Sequence, residues 1–387
     1  MNVNKKPLRQ SRKIDQSLLW AIILLAAFGI LMVYSSSVAW EAFDRDSRSF
    51  IRDPLRLVGR HVINVAAGAV FALAAFFAGM SFWQRFSTQI LFLSIALLGV
   101  VGFWAKEVNG ARRWLNLWMF NVQPSEMFKL AVILYLSAFF CRRADVLQQK
   151  KSMWFPCIVL GIGLGLVLAE PDLGATFITA VIAFGLFFLA NLPKSWFFTG
   201  LAAGAAGLVV TVFAMPYRIS RMMVFLDPWA QAFDKGYQTT HALMGIARGG
   251  WTGLGLGAGL EKRFYMTSNE THTDFIFTTV GEEFGMAGIL LMIFAYGWLC
   301  WRAFSIGRKA RDLEKFFNAY VAKGIGIWIG IQSFFHMGVN IGALPPKGLP
   351  LPLVSYGGSI TIVVLVACGI LLRIDYENRM KVLGFSK

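Results

Sequence analysis

Three carboxylates lie at the start of a long apolar segment. Asp274 ends the polar run 267–274, and Glu282 and Glu283 follow in the apolar stretch that continues to Trp301. Acids at the entrance of a membrane helix are costly, and they usually face a cavity or a partner. At 100° per residue, Glu282 lies about 80° and Glu283 about 180° around the helix from Asp274. The three therefore cannot serve one site.

A structural interpretation of Asp274 stays open beside the functional one. Thr271 or Thr273 would cap the helix, and Asp274 would interact favourably with the helix dipole. Such a role stabilises a helix by roughly 0.5–1 kcal/mol and needs no substrate.

A second charged pair lies at the start of another apolar segment. The run Gln123-Pro124-Ser125-Glu126 is followed by Lys129, and a proline is favoured at the first position of a helix. Glu126 and Lys129 are three residues apart, so an ion pair on one helix face is geometrically available. Either the two charges only neutralise each other, as buried ions normally do, or Lys129 also binds an anion.

Two polar connections lie near these groups along the chain. Arg112 and Arg113 belong to the interval 105–123, which leads into the Glu126 segment. The run Glu170-Pro171-Asp172-Leu173-Gly174 separates two apolar segments. A tight helix–helix connection with Asp172 as the cap accounts for most of that run.

The composition is that of a helical membrane protein. Hydrophobic residues make up 57% of the 387 residues and charged residues only 15%, and the apolar positions form long continuous runs. The net charge of +16 is not gathered on a soluble domain, which argues against nucleic-acid binding. The four cysteines have no disulfide or metal-ligand spacing. A Walker loop, a dinucleotide fingerprint and HExxH are absent from the sequence, so an ATP-driven pump and a zinc protease have no support.

Ten apolar segments are each near the ~20 residues that a bilayer needs, so the fold class predicted is all-α with about ten transmembrane helices. The predicted spans are 18–38, 61–80, 86–104, 124–141, 153–170, 173–191, 196–215, 275–301, 317–341 and 353–373. Residues 1–16 form a basic tail before an uncleaved signal anchor, 17–375 the membrane domain and 376–387 a second tail.

The basic residues predict the orientation. With the N-terminal tail inside, the cytoplasmic segments hold 21 Lys and Arg but only 6 acids. This asymmetry fits the positive-inside rule, and an even number of spans returns the C-terminus to the cytoplasm.

Residues 216–273 form a large extracytoplasmic loop between helices 7 and 8. The loop is too long for a simple connection, and its aromatic and glycine content favours an ordered, functional region. Its glycines, from Gly249 to Gly259, allow close backbone approach but lack the spacing of a nucleotide loop. Its cations suggest an anionic ligand such as a phosphate headgroup, although charges that only solvate the loop are the alternative. They are Arg218, Arg221, Lys235, Arg248, Lys262 and Arg263.

A Pro- and Gly-rich segment, 344–359, enters the last predicted span. It contains Lys347 and Ser355. Irregular backbone at membrane depth is tolerated mainly where it lines a cavity.

Several motifs occur together in one order. They are Asn109–Trp114 with Gln123–Glu126 and Lys129, Glu170–Gly174, Asp227–Trp229 with Gly236–Gln238, His272–Phe277 with Gly281–Glu283, and Pro350–Ser359. Together they resemble the SEDS family (shape, elongation, division and sporulation) over nearly the whole chain. The runs Gly253–Gly257 and Pro346–Leu349 look more like the division branch of the family than the rod-elongation branch.

Some residues depart from the family's pattern. The approach to His272 lacks a proline and is about two residues longer, and Phe264 stands where division members often have an acid. Glu270 is therefore carried over only as a candidate. His241 is also unusual at its position.

The resemblance implies a glycosyltransferase of the bacterial inner membrane that polymerises lipid II into peptidoglycan strands. Its implied partners are a class B penicillin-binding protein transpeptidase and other divisome proteins, with no nucleic acid. A hydroxyl nucleophile needs a general base, and Asp274 at the outer boundary fits that role. The leaving pyrophosphate needs cations, either Arg and Lys or a divalent metal such as Mg²⁺ or Mn²⁺. No ligand cluster in the sequence specifies a metal. The substrate-binding residues implied are Lys129, Glu126, Arg112, Arg113, His272, Glu270, Lys347 and Ser355.

Three other functions stay open. The same charges would line the path of a lipid II flippase. The chain would carry out the same chemistry as a rod-elongation paralogue, or it would act as a non-catalytic scaffold that recruits a transpeptidase. Unpaired intramembrane carboxylates favour an enzyme or a transporter over a scaffold.

Overall fold

The computed structural model describes residues 14–41, 54–105, 112–117, 120–146, 153–191, 193–213, 225–264 and 271–385. Its helices are α1 (Gln16–Glu41), α2 (Pro54–Trp104), α3 (Pro124–Arg142), α4 (Trp154–Ala169), α5 (Leu173–Leu189), α6 (Lys194–Phe213), α7 (Tyr237–Gly249), α8 (Glu261–Phe264), α9 (Ile276–Asp312), α10 (Phe316–Asn340) and α11 (Ser359–Val382). An antiparallel hairpin of β1 (Leu115–Leu117) and β2 (Phe120–Val122) is the only sheet in the described ranges, and the sequence did not predict it.

The helices account for the predicted apolar segments. Most predicted spans lie on one helix, and 61–80 and 86–104 lie on the two sides of the break at Gly79 in α2. The predicted span 275–301 crosses the break at Gly285 in α9, and the predicted span 353–373 starts too early, because α11 begins only at Ser359. Helix α2 has 51 residues, about 75 Å at 1.5 Å per residue, which is about two and a half times the ~30 Å thickness of a hydrocarbon core. In the described part of the chain, five helices are long and apolar enough to cross a membrane by length and composition. The helical membrane fold is thus confirmed, while the count of ten spans stays a prediction.

Helix α3 lies at the centre of the bundle. In its most apolar window 89% of residues are buried, against 28% in α2, so α2 presents most of its apolar surface outward. Phe128 of α3 fits against Gly163 of α4, and Ile133 fits against Gly324 of α10. A helix this enclosed can keep charged side chains away from lipid, and it carries Glu126 and Lys129.

The glycine run of the outer loop packs onto the kink of α9. Gly285 has a φ of 65°, and the backbone amides of Leu254 and Gly255 donate to the carbonyls of Glu282 and Glu283, both at 3.0 Å. A Cβ at Gly253 would lie 2.1 Å from the carbonyl oxygen of Glu283, so a side chain there is excluded. The predicted close backbone approach is confirmed.

The start of α9 differs from the prediction. The helix begins at Ile276 with Phe275 as its N-cap residue and without a side-chain cap of its own. The third amide of the helix, from Thr278, instead donates to Asn340 Oδ1 at 3.1 Å, and this asparagine belongs to α10. The predicted cap by Thr271 or Thr273 is therefore wrong, because a packed helix supplies the acceptor. Asp274 lies outside the helix.

Candidate active site

Asp274 is held at the end of a short turn that precedes α9. Its backbone carbonyl accepts a hydrogen bond from Asn340 Nδ2 at 2.9 Å. Its half-buried carboxylate lies against the backbone of the 347–350 segment, since a Cβ at Gly348 would lie 3.0 Å from Asp274 Oδ2. A side chain at 348 would crowd the carboxylate, so the glycine leaves room for the acid at this position.

Ser355 and His272 fix this turn to the Pro- and Gly-rich segment. The Ser355 hydroxyl donates to the carbonyl of Thr273 at 2.7 Å and accepts from the Leu351 amide at 2.8 Å. The amide of Tyr356 donates to the carbonyl of His272 at 2.8 Å, and the two rings are 5.3 Å apart. Ser355 thus orders the turn that carries Asp274, and its hydroxyl already has two partners.

The predicted ion pair in α3 is confirmed. Lys129 Nζ donates to Glu126 Oε1 at 2.8 Å and to Gln332 Oε1 at 3.0 Å, and Lys129 has no exposed surface. It also lies 5.4 Å from the ring centroid of Trp328. Glu126 Oε2 is buried with no hydrogen-bond partner in the described residues. Pairing and polar contacts offset the cost of burying these charges.

The 347–350 segment joins the acid to the buried cation. Gly348 contacts the Asp274 carboxylate, and the carbonyl of Pro350 accepts from Gln332 Nε2 at 2.9 Å, the same side chain that contacts Lys129. Two residues of extended chain span at most about 7 Å, so one short segment links Asp274, through Gln332, to the Lys129 pair. The structure brings together two motifs that are far apart in sequence.

The Glu170–Gly174 connection lies on the same site. Asp172 caps α5, as predicted, by accepting from the Ala175 amide at 3.0 Å, and Leu349 of the irregular segment packs on Gly174. The carboxylate of Glu170 is buried, and both its oxygens are without a hydrogen-bond partner in the part of the chain described. Burial, and secondarily the charge of Asp172, raises the pKa of Glu170 to about 8.

The arginines of the 105–123 interval have different surroundings. The side chain of Arg113 donates to the backbone carbonyls of Glu170 and Pro171, at 3.0 and 2.6 Å. This contact orders the connection between α4 and α5. Arg112 is exposed, and Lys347 is half-buried in the segment beside Asp274. Glu270 lies outside the described residues.

Two cations of the large loop form ion pairs with carboxylates of the protein itself. Arg248 contacts Glu261 at 2.8 Å and Glu282 at 3.3 Å, and Lys262 forms a fully buried ion pair with Glu283. The expectation that the carboxylates of α9 are unpaired is wrong for both Glu282 and Glu283, because these loop cations pair with them. Their contacts fix the loop to the kinked helix.

The other cations of the large loop are Lys235, Arg218, Arg221 and Arg263. Lys235 is exposed. Arg218 and Arg221 lie outside the described residues, and the same holds for the side chain of Arg263.

The described residues do not form a metal site. No three His, Cys, Asp or Glu side chains within the described ranges are close enough together to hold a metal ion. Mg²⁺ and Mn²⁺ favour several oxygen ligands, and Asp172 already accepts from Ala175 and Gln123. The described residues therefore offer no preformed all-protein site for the divalent cation that the resemblance leaves open, and such an ion would be held by one or two carboxylates together with the substrate phosphates.

Sequence reasoning missed three residues that order the site. Asn340 supports both Asp274 and α9, Gln332 joins Lys129 to Pro350, and His336 Nδ1 lies 2.7 Å from the carbonyl of Leu349. All three lie on α10 at spacings of four residues, on one helix face. Polar residues at that spacing in an apolar helix are the signal that could have identified them.

A family model described as "Cell cycle protein", named for FtsW, RodA and SpoVE, matches residues 16–380. The chain belongs to this family. The SEDS resemblance is thereby confirmed.

Several curated relatives carry the name "Probable peptidoglycan glycosyltransferase FtsW". The relative from Neisseria gonorrhoeae is 44% identical over 413 residues, covering 97% of this chain and 88% of the relative. The relative from Aromatoleum aromaticum is 41% identical over 378 residues, covering 97% of this chain and 91% of the relative. The likeness to the division branch is confirmed by these names.

Two solved structures have the same fold. A chain in a structure titled "Structural coordination of polymerization and crosslinking by a peptidoglycan synthase complex" aligns with a TM-score of 0.75 and 24% identity, over 94% of this chain and 98% of that chain. The rod shape determining protein RodA of Thermus thermophilus aligns with a TM-score of 0.68 and 23% identity, over 94% of this chain and 97% of that chain. At these identities the likeness shows the fold alone.

Proposed function

We propose that this chain is a peptidoglycan glycosyltransferase that polymerises lipid II, with Asp274 as the general base. The names of the curated relatives support the activity. The observation that carries the residue assignment is the position of Asp274 next to Gly348, across the 347–350 segment from the buried Lys129 pair. An acid and a cation on two sides of one segment suit a reaction in which a proton leaves and a pyrophosphate departs.

The reaction forms one glycosidic bond and breaks one bond to phosphate. The acceptor sugar's 4-hydroxyl oxygen attacks the anomeric carbon of the donor, and Asp274 takes the hydroxyl proton. The bond from that carbon to the pyrophosphate oxygen breaks, and the lipid pyrophosphate leaves with the electron pair. Attack opposite the leaving group inverts the anomeric configuration, and one positioned base contributes roughly 10²–10⁴-fold.

Lys129 is the proposed partner of the leaving phosphate. A lysine ammonium has three donors, and Glu126 and Gln332 occupy two of them. Because Lys129 is fully covered, direct contact with phosphate requires Gln332 or the 347–350 segment to move. Arg112 and Lys347 are proposed to attract the substrate phosphates, and His272, Glu126 and Ser355 to shape the site. Glu270 stays a candidate in the substrate approach.

The orientation, organisation and partner are part of the proposal. The excess of Lys and Arg on one side places both termini in the cytoplasm, and Asp274 then faces the outer side. Residues 17–375 form the membrane domain, with 216–273 as its large outer loop and short tails at 1–16 and 376–387. Glycan strands must be cross-linked, so we expect a single-span class B penicillin-binding protein to bind the chain, together with other divisome proteins at the septum.

Polymerisation by the purified chain tests the function. The protein in detergent is mixed with lipid II, with and without a cognate transpeptidase, and glycan polymer is measured. Detergent micelles have no second compartment, so polymer formation identifies an enzyme, not a flippase. No polymer from a monodisperse, lipid II-binding protein in either condition would contradict the proposal.

A further inference from the structure

A cavity of about 600 Å³ lies at the end of the bundle opposite Asp274. It is lined by residues near the kink of α2, at the start of α10 and at the end of α11. Helix α10 runs from this cavity at Phe316 to Asn340 beside Asp274, and its 25 residues span about 37 Å. The cavity is therefore separate from the candidate active site, and its volume is in the range of ligand pockets.

Two cations share one carboxylate in this cavity. Glu377 Oε1 accepts from Arg373 Nε at 2.8 Å and from the Met80 amide at 3.0 Å, and Lys315 Nζ lies 3.9 Å from Oε2. The Nη groups of Arg373 have no hydrogen-bond partner among the residues described. Gly79 lies beside them, since a Cβ there would be in van der Waals contact with Arg373 Nη2 at 3.4 Å.

The surroundings of Lys315 favour an additional anion. Burial lowers the pKa of Lys315, the positive charges of Lys381 and Arg373 lower it further, and Glu377 opposes them. The first turn of α10 contains no acid and has no side-chain cap. Its free amides point out of the helix end, where the dipole favours a phosphate group. Glu314 at the exposed rim is the other carboxylate that lines the cavity.

We propose that this cavity binds the phosphate headgroup of an anionic phospholipid. The apolar part of its lining supports a lipid over a free anion, since Phe316 and Phe385 are 50% and 57% exposed at its mouth. Phe82 beside the kink of α2 is also 45% exposed, which continues the apolar surface toward the bilayer. In the proposed orientation the site faces the cytoplasmic leaflet, whose anionic lipids bind basic pockets between helices.

Native mass spectrometry of the full chain in detergent tests the proposal with phosphatidylglycerol as the probe and phosphatidylcholine as the neutral comparison. Lys315→Gln with Arg373→Gln removes the two cavity cations. Arg308→Gln with Lys309→Gln removes two exposed cations near the same end of α9 and is the matched control. We expect the cavity variant to bind phosphatidylglycerol about tenfold or more weakly and the control to change less than about twofold. Equal weakening in both would show unspecific charge attraction and overturn the proposal.

Two further experiments complete the test. Competition by phosphate compounds without acyl chains distinguishes a lipid headgroup from a free phosphate, and variants of Ser81 change the charge of the cavity without removing a structural contact. Glycerophosphoglycerol, which lacks acyl chains, and inorganic phosphate should not displace the lipid; displacement by either at equal concentration would overturn the lipid assignment. Ser81→Glu adds a negative charge to the cavity lining while leaving the Glu377 contacts intact. It should weaken phosphatidylglycerol binding, and Ser81→Lys should strengthen it. An unchanged affinity in both would also overturn the proposal.

Discussion

Removing the charge of Lys129 separates a structural ion pair from a substrate-binding cation. Lys129 has no exposed surface, and its contact to Glu126 is 2.8 Å long. At an effective dielectric constant of 20 the pair attracts by about 6 kcal/mol, most of which offsets the loss of hydration. Lys129→Met leaves the Glu126 carboxylate buried without its cation, so we expect a destabilisation of about 3–5 kcal/mol.

The double variant restores neutrality. With Glu126→Gln added, no buried charge remains unpaired, and Gln332 Oε1 keeps its bond from Trp328 Nε1 at 2.8 Å. Replacing both members of a buried ion pair is often close to neutral, so the free energy of unfolding should return to within about 1 kcal/mol of the parent. SDS titration of the purified protein in mixed micelles, followed by tryptophan fluorescence, measures this quantity.

Activity then decides the role of Lys129. If Lys129 stabilises the leaving phosphate, the folded double variant should polymerise lipid II about 10²-fold more slowly than the parent. Glu126→Gln alone keeps the lysine and is the matched control, which should retain much more activity than the double variant. A folded double variant with activity within about threefold of the parent would refute the substrate role of Lys129.

Three further predictions concern the orientation of the chain, the buried Glu170 and the support of α9 by Asn340. In a cysteine-free background, Lys235→Cys should react with an impermeant thiol reagent from outside the cell and Lys309→Cys should not; the reverse pattern would refute the proposed orientation. The pKa of Glu170 is raised from 4.5 to about 8, so its contribution to stability is complete below pH 4.5 and is lost as pH rises toward 8. Glu170→Gln should therefore flatten the thermal stability profile across that range, and an unchanged profile would contradict the assignment. Asn340→Ala leaves the Thr278 amide without its acceptor, so it should lower the free energy of unfolding by about 1–3 kcal/mol and lower the polymerisation activity of the folded fraction. Unchanged stability and activity would show that Asn340 does not support the site.

Local spacing in the sequence predicted the local features of the site. The Glu126–Lys129 pair and the Asp172 cap each depend on residues three apart, so helix geometry alone determines them. The glycine run likewise predicted close backbone contact, because few other residues tolerate it.

Long-range partners could not be predicted in this way. Thr278 and Asn340 are 62 residues apart, and Lys262 and Glu283 are 21 apart. Which side chains meet across such distances depends on how the helices pack, and periodicity within one helix carries no information about that. The cap of α9 and the pairing of the loop cations were therefore assigned wrongly from the sequence.

The central claim is that Asp274 is the general base, and one substitution tests it most directly. Asp274→Asn keeps the size of the side chain, and the backbone carbonyl of residue 274 can still accept from Asn340. Asp274 precedes Phe275, the N-cap residue of α9, so the start of the helix does not depend on its carboxylate. Asp234→Asn, an exposed acid in the outer loop, is the matched control. The measurement is glycan polymer made from lipid II by the purified, monodisperse variant with its transpeptidase. The account predicts a fall of roughly 10²-fold or more with lipid II binding retained, and activity within about threefold of the parent would contradict it.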